Sequence, residues 1–204
     1  MEAIDVLEKF LGFITQIGSR KIKQSELRQK EYHEKRENLI EIYRNLISIV
    51  NLFPNESPND IIQNIKYGPN YSLEKYDAIF RSLDYKIEDY EKQKKFSNLD
   101  YEEKNNIEIE ISNIKYAKEK LAVNRKSYHK AVKEYSSFTN SDKALFDLYA
   151  SQEVQNYLVS FEVVIDNVFI SGMSVEDFND PFKNIIKISR SELINAMRKD
   201  IGII

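Results

Sequence analysis

The sequence contains no cysteine and no tryptophan, and only 5 glycines and 4 prolines occur among its 204 residues. Without cysteine, the protein has no disulfide, no thiolate chemistry and no zinc site of the usual cysteine-rich kind. The scarcity of glycine and proline argues against β-sandwiches and Rossmann-type folds, which need turn residues between their strands. These absences favour a few long helices, and the missing cysteine suits a reducing cytoplasm, where we expect the protein.

Long apolar runs are also missing. No stretch approaches the roughly 20 apolar residues that a membrane-spanning helix needs, and Asp5, Glu8 and Lys9 interrupt the nearest candidate, residues 1–21. That segment also lacks the basic start of a signal peptide. The net charge of −3 argues against a globally basic nucleic-acid-binding protein. We therefore expect neither a membrane span nor a strong affinity for nucleic acid.

Core and charged surface residues, by contrast, are plentiful. Hydrophobic residues make up 42% of the chain and charged residues 31%, with 13 Tyr and 11 Phe. Tyrosine in this number is typical of helix faces on which the ring is buried and the hydroxyl reaches water. The composition predicts a sizeable core under a highly charged surface.

The first part of the chain has the pattern of one long helix, or of two helices in line, from residue 2 to about residue 53. Gly12 and Gly18 are the only helix breakers before Pro54, which ends the pattern. Apolar residues recur at helical spacing near both ends, but the middle of the segment is mostly polar. The apolar positions are Ile4, Leu7, Leu11 and Ile14, and then Tyr32, Leu39, Tyr43, Leu46, Val50 and Phe53.

Three helices are predicted in the middle of the chain. Ser57 or Asn59 can cap a short one, with Pro58 in its first turn and Gly68-Pro69 after its end. Ser72 can cap the next, whose apolar positions are Leu73, Tyr76, Phe80, Leu83, Ile87 and Tyr90. A second long helix begins near Leu99 and Asp100 and precedes a predicted turn at 137–143. Its apolar positions are Ile107, Ile111, Ile114, Leu121, Tyr128, Val132 and Tyr135.

The rest of the chain predicts a short helix over 144–149, a helix capped by Ser151 and a last helix from about Pro181. The segment 171–174 is a break, and Ser174 with Asp177 can cap a turn there. If the last helix stops at Ile201, Gly202 takes the left-handed position after it. Ile203 is then expected to pack back near Met197, so that the end of this helix is docked.

These patterns predict an all-α protein, an antiparallel bundle of long helices with a protruding N-terminal helix. Residues 1–31 are assigned to an amphipathic helical arm, called the N-terminal arm below, and residues 32–204 to a helical bundle domain. The bundle is expected to contain residues 32–53, 73–95, 105–138 and 151–201.

The candidates for catalysis are few. Histidine is the usual acid–base residue near neutral pH, and the chain has two, His33 and His129. Arg28 lies five residues before His33, a spacing that resembles the R-x4-6-H motif of HEPN-type ribonucleases. Those all-helical proteins act as dimers, in which Arg and His of two subunits meet at a groove and assist attack by the RNA 2′-hydroxyl. The resemblance implies Arg28 and His33 as the catalytic residues of a dimeric ribonuclease.

Other chemical motifs do not occur in the sequence. Neither histidine has the preceding Glu of a di-iron bundle motif, and there is no phosphate-binding loop, dinucleotide-binding glycine motif, H-E-x-x-H or nucleophile elbow. We therefore expect no metal, no cofactor and no enzymatic activity. Residues 19–36 carry seven Lys or Arg against three Glu, a local net charge of +4. Because the acids are interleaved, a solvated face with salt bridges is favoured over phosphate binding.

Two stretches, LFDLYASQEVQNYLVSFEVVI at 145–165 and LINAMRKDIGI at 193–203, resemble the ends of many uncharacterised bacterial and prophage-encoded helical proteins. In those proteins, L-Y-[AG]-S-x-E-V links two helices and the chain closes in A-x-R-x-D-[LI]-G. The resemblance implies an antiparallel helical bundle, and some of those proteins belong to phage–host conflict loci. Many begin with a membrane anchor, whereas this chain has the amphipathic segment AIDVLEKFLGFITQIG in that place.

The function expected is protein–protein interaction without catalysis, as a scaffold or an inhibitor of a partner protein. The predicted partner-binding residues are the apolar stripe of the N-terminal arm, namely Ile4, Leu7, Phe10, Leu11, Ile14 and Ile17. Four surfaces can cover this stripe. They are a second copy of the chain, a foreign protein, a membrane surface, and the protein's own bundle after a bend near Gly18. A homodimer is favoured because closed dimers are the commonest assemblies, while Asp5 and Glu8 oppose an anionic membrane.

Overall fold

The computed structural model describes the backbone of residues 2–66, 68, 71, 73–95, 99–177 and 180–203, and the side chains of 23, 26–66, 68, 71, 73–95, 99–176, 180 and 183–203. The fold is all-α, as predicted. Its helices are α1 (Glu2–Val50), α2 (Pro58–Ile62), α3 (Tyr76–Lys94), α4 (Tyr101–Ser141), α5 (Lys143–Tyr149), α6 (Gln152–Phe169) and α7 (Ile185–Asp200). A short 3-10 helix (Leu73–Lys75) precedes α3, and two short strands, β1 (Glu176–Asp177) and β2 (Asp180–Asn184), pair antiparallel before α7.

The helices pack antiparallel, as the contacts along each pair show. Ion pairs join α3 to α4 at three levels, and residue numbers rise on one helix while they fall on the other. The pairs are Asp77–Arg125, Asp84–Lys118 and Lys94–Glu108. α1 and α7 are arranged in the same way, because Tyr43 contacts Asp200, whereas the carbonyl of Phe53 accepts from Nη2 of Arg190 at 2.8 Å. The predicted antiparallel bundle is confirmed.

Buried side chains form two clusters. The larger cluster is built from the end of α1, the second half of α4, and α5, α6 and α7. The smaller cluster joins α2, α3 and the first half of α4 around Leu83, Ile114 and Leu121. α4 is therefore the element that both clusters share, and its 41 residues extend for about 60 Å.

α1 is a single unbroken helix that ends at Val50, ahead of Pro54. Burial begins at Leu39, and every described side chain before it, from Glu26 to Asn38, is exposed. Tyr32 was expected to belong to the apolar stripe of the bundle, but it is 64% exposed. The reason is that α7, which lies beside α1, ends at this level: Nε of Arg36 donates to the carbonyl of Ile201 at 3.2 Å.

The turn predicted at 137–143 is wrong over most of its length, because α4 continues to Ser141. Three hydroxyl side chains that favour turns in other contexts bond within the helix instead. Ser137, Thr139 and Ser141 each donate to the carbonyl four residues earlier, at 3.0 to 3.2 Å. Phe138 is 1% exposed, and its burial in the larger cluster holds this last part of α4 in place.

The start of the last helix was predicted too early. The chain from Asp180 to Asn184 is strand β2, and α7 begins only at Ile185. Proline disfavours helical backbone in the residue before it and donates no hydrogen bond, so Pro181 suits a strand. Ser174 does not begin a helical turn with Asp177, because β1 starts at Glu176, whose N–H donates to Ser174 Oγ at 3.1 Å.

The predicted helix caps are largely confirmed. Ser57 caps α2 with Pro58 in its first turn, and Ser151 caps α6. At the start of α4, the Asp100 carboxylate accepts from the N–H of Glu103 at 2.8 Å, while Glu103 accepts from the N–H of Asp100 at 3.0 Å. This reciprocal pair is a capping box. The predicted cap Ser72 and the predicted breaker Pro69 lie outside the described residues.

The end of α7 has the predicted glycine geometry. Gly202 has φ of 70°, its N–H donates to the carbonyl of Lys199 at 3.0 Å, and the N–H of Ile203 donates to the carbonyl of Arg198 at 2.9 Å. These two bonds define a Schellman motif. The expected packing of Ile203 on Met197 is wrong, since Ile203 is 65% exposed; Met197 is covered instead within the larger cluster, where Ile201 also packs.

Candidate functional site

The N-terminal arm belongs to the same helix as the first helix of the bundle. α1 begins at Glu2 and runs through the arm without a break. At 1.5 Å per residue, the helix before Leu39 extends for about 55 Å. The side chains described within residues 1–31 are those of Lys23 and 26–31, and all of them are exposed. The helix is thus continuous from a packed segment into one that the bundle does not cover.

The six predicted partner-binding residues lie on this helix. They are Ile4, Leu7, Phe10, Leu11, Ile14 and Ile17, and their side chains lie outside the described residues. The helical backbone preserves the three- and four-residue spacing from which the stripe was predicted. The bend near Gly18, by which the arm would reach its own bundle, is not found, because α1 contains Gly18 within one helix.

Arg28 and His33 both lie on the exposed part of α1. Five residues correspond to about 140° of rotation on an α-helix, so the two side chains leave the helix on different faces. The imidazole of His33 has an edge contact with Tyr32, with ring centroids 6.1 Å apart. The structure therefore does not bring Arg28 and His33 together within one chain.

A second Arg–His pair, Arg125 and His129, lies four residues apart on α4 and has a packing role. The Arg125 guanidinium lies 3.9 Å from the ring centre of Tyr76, 3.5 Å from Asp77 and 3.4 Å, through Nε, from Nε2 of His129. Stacking on Tyr76 and pairing with Asp77 join α4 to the start of α3. Since its guanidinium is occupied by these contacts, Arg125 stabilises the helix pair and leaves His129 exposed on the outer side of α4.

The two stretches that carry the resemblance to prophage-encoded proteins meet in space. Asp200, from the second stretch, accepts a hydrogen bond from the N–H of Ser151, in the first, at 3.2 Å. Beside it, Lys199 forms an ion pair with Glu153 at 3.0 Å. Asp200 also accepts from the hydroxyl of Tyr43, which is 1% exposed. The carboxylate of Asp200 thus fixes the end of α7 to the start of α6 and to α1. These contacts explain why an aspartate suits this position of the A-x-R-x-D-[LI]-G motif.

Two tyrosines, Tyr43 (buried) and Tyr135 (half-buried), donate hydrogen bonds to the carboxylates of Asp200 and Glu162. The pKa of both phenols is raised above the ordinary value of 10.0, mainly by burial and secondly by the hydrogen-bonded carboxylate. Both side chains therefore stay protonated well above neutral pH and act as donors, not as acid–base groups. Neither phenol therefore has a pKa suited to acid–base catalysis at neutral pH.

A cavity of about 420 Å³ lies between α4 and α6. Its floor is apolar and largely aromatic, and its rim carries two carboxylates on one side. The residues lining it are Phe53, Tyr128, Val132, Tyr135, Phe161, Glu162, Ile165, Asp166 and Ile170. This cavity was not predicted, because Val132 and Tyr135 were assigned to the buried stripe of α4, and nothing in the spacing shows that α6 packs mainly on α7.

The polar side chains that fix the loops around α2 were also missed. Asn59 donates to the carbonyl of Gly172 and accepts from the N–H of Tyr71 at 2.6 Å, and Asp60 accepts from the N–H of Val175 at 3.0 Å. Gly172 has φ of 74°, and a Cβ there would collide with the carbonyl of Tyr71. The sequence indicated the cap and the turn residues of this region but not these contacts, because the partners of Asn59 and Asp60 lie far away in the sequence.

The residues that the structure describes contain no group of three His, Asp or Glu able to hold a metal ion. Among the helices of that same part of the chain, none combines the length and apolar character needed to cross a bilayer. No protein-family model, curated protein or solved structure matches this sequence.

Proposed function

We propose that this chain is a non-enzymatic protein–protein interaction module, a scaffold or an inhibitor, in which the N-terminal arm is the binding element. The observation that supports the proposal is the continuity of α1, which leaves the bundle at Leu39 and remains helical to Glu2. A helix without packing is only marginally stable in water. An amphipathic helix of this length is therefore expected to gain its stability by covering its apolar stripe on a partner.

A second copy of the chain is the occupant that the charges favour. The arm begins with Glu2, Asp5 and Glu8 and becomes basic from Arg20 onwards. Two arms that pair antiparallel along their apolar stripes set the acidic first turns of one beside the basic segment of the other. Opposite charges at such flanking positions stabilise and orient helix pairs. We accordingly propose a homodimer in the cytoplasm, where a cysteine-free chain is suited to the reducing conditions, and, from the resemblance to prophage-encoded proteins, a role in phage–host conflict.

Deletion of residues 2–31 tests the arm directly. We expect light scattering after size exclusion to give the mass of a dimer for the full chain and of a monomer for the truncated one. The thermal midpoint of the bundle should change little, because the larger cluster begins at Leu39. A chain that is monomeric before and after deletion contradicts self-association, and a truncated chain that unfolds contradicts a free arm.

A pair of double variants provides the matched control. Leu7→Asp with Ile14→Asp places charges on the apolar stripe and should give a monomer. Gln16→Asp with Ser19→Asp adds the same charge off the stripe, on the same stretch of helix, and should leave the dimer intact. If both double variants dissociate the dimer to the same extent, added charge and not the stripe is responsible.

The absence of catalysis is tested on RNA, because the HEPN-type resemblance of Arg28 and His33 implies cleavage by a dimer. We expect the purified protein to cleave no single-stranded RNA at concentrations where it is dimeric. Cleavage that is lost in His33→Ala, with helicity and mass unchanged, would overturn the non-enzymatic proposal and favour the ribonuclease.

A further inference from the structure

The cavity between α4 and α6 combines an apolar floor with charge of one sign. Phe53, Phe161 and Ile165 form its floor and are between 2% and 6% exposed. Val132 and Ile170 stand at its edge and are 39% and 50% exposed. The volume of about 420 Å³ lies within the range of small-molecule sites in proteins. An exposed apolar edge that continues into a cavity is the usual form of a ligand site.

Two carboxylates, Glu162 and Asp166, stand one helical turn apart on α6 at the rim of this cavity. Like charges at this spacing repel one another, and no lysine or arginine of the described residues forms an ion pair with either. Several other carboxylates of the bundle are paired across helices, as Asp84 is with Lys118 and Glu153 is with Lys199. The rim pair is thus a local concentration of negative charge beside an apolar surface.

Among the described residues, one side-chain hydrogen bond reaches this pair, and it fixes the position of Glu162. Oε1 of Glu162 accepts from the hydroxyl of Tyr135, which reaches across from α4. This bond spans the cavity edge and orients the carboxylate, while the second oxygen of Glu162 and the carboxylate of Asp166 have no side-chain partner among the described residues. Acceptors are therefore available at the mouth, within reach of the apolar floor.

From this geometry we infer that the cavity binds a small organic cation with an apolar body. The apolar body contacts Phe53, Phe161 and Ile165, and the ammonium group lies at Glu162 and Asp166. The two rim carboxylates favour a cation over other ligands. They repel an anion, and a neutral apolar molecule gains no electrostatic attraction from them. A cation gains both the burial of its apolar part and charge pairing at the rim.

Calorimetric titration of the full chain with hexylammonium near neutral pH tests this inference, with hexanol and hexanoate as ligands of the same chain length. We expect the cation to bind about tenfold more tightly than hexanol, and hexanoate to bind more weakly than both. Two variants, Glu162→Gln and Asp166→Asn, should each weaken the binding of the cation about two- to fivefold, as expected for partly exposed charge pairs. Glu162→Gln keeps an acceptor for Tyr135. Neither variant should change the binding of hexanol.

Two further variants complete the test. Glu134→Gln removes an exposed carboxylate of α4 that does not line the cavity, and it should leave cation binding unchanged. Val132→Trp, at the exposed edge, should block all three ligands while the thermal midpoint stays near that of the wild type. The inference is overturned if the cation binds no better than hexanol or if Val132→Trp binds the cation normally. It is also overturned if Glu134→Gln weakens cation binding as much as the rim variants do. These outcomes are independent of the mass measurements that test the N-terminal arm.

Discussion

The two segments of α1 on either side of Leu39 share one helix but differ in how they are stabilised. From Leu39 to Val50, the helix face towards the bundle is buried, and Leu46 and Val50 have no exposed surface. From Glu26 to Asn38, every side chain is exposed and most are charged. The exposed segment consists largely of Glu, Lys, Arg and Gln, which are strong helix formers, and its ion pair Lys30–Glu34, at 3.9 Å and well exposed, contributes little.

The difference shows that different properties of the sequence determine whether a segment is helical and whether it is packed. Residue propensity extends the helix past the bundle once the buried segment has formed its first turns, because elongation is much easier than nucleation. The helix is covered only where apolar residues of its stripe meet a neighbouring helix, and α7 ends beside Arg36. Changes to the two segments should therefore have different effects on global stability.

The largest contrast is expected from truncating leucines. Leu46→Ala removes a fully buried side chain from the larger cluster and should lower the free energy of unfolding by about 2–5 kcal/mol. Leu27, 52% exposed on the other segment, should tolerate the same change within about 0.5 kcal/mol. Urea denaturation followed by circular dichroism measures both. Equal losses would show that the exposed segment is packed.

A smaller effect is expected at Tyr43, which holds α1 against α7. Tyr43→Phe should cost about 1–2 kcal/mol at neutral pH, because Asp200 loses a buried donor. The raised pKa of Tyr43 means that the unfolded chain loses this proton at a lower pH than the folded one. The contribution of Tyr43 to the free energy of unfolding is thus complete below about pH 10 and is lost as the pH rises further. Tyr43→Phe should therefore lose less stability than the wild type when the pH is raised above about 10. Tyr32→Phe is the exposed control; a neutral-pH loss equal to that of Tyr43→Phe would contradict the distinction.

The smallest effect separates the segments by backbone alone. Glu41→Gly, at an exposed position in the packed segment, should lower global stability by about 1 kcal/mol relative to Glu41→Ala. Gln29→Gly, compared with Gln29→Ala, should reduce helicity near residue 29 but leave the urea midpoint unchanged, since unfolding of that turn is independent of the bundle. A shift in the midpoint for both glycine variants would indicate that the two segments unfold as one unit.

Local signals predicted much of the fold. The caps at Ser57, Asp100 and Ser151 and the left-handed Gly202 depend on neighbours within a few residues, so sequence spacing was sufficient to find them. The stripe of α3 was also correct, because helical periodicity reports a buried face directly. The residues 137–141 were misassigned for the same local reason, since their hydroxyls favour turns until Phe138 is buried.

Features that depend on distant partners were not predictable. The position of Asp200 beside Ser151 and Tyr43, the buried Asn124 that donates to the carbonyl of Glu56 at 2.7 Å, and the cavity at Glu162 all require knowledge of which helices are neighbours. A polar residue on a helix gives the same pattern whether it is solvated or bonded to a remote loop. The sequence could therefore point to the N-terminal arm but not to the cavity.

The contacts of Asp200 also set an order of assembly during synthesis. The smaller cluster draws its buried members from residues 62 to 121, so all of them leave the ribosome while the chain is still being made. The larger cluster joins α1 to α7, and the hydrogen bond from Tyr43 to Asp200 beside it spans 157 positions. Contacts of such long sequence separation form slowly and late. The apolar face of α1 near Tyr43 is thus synthesised before the smaller cluster and covered after it.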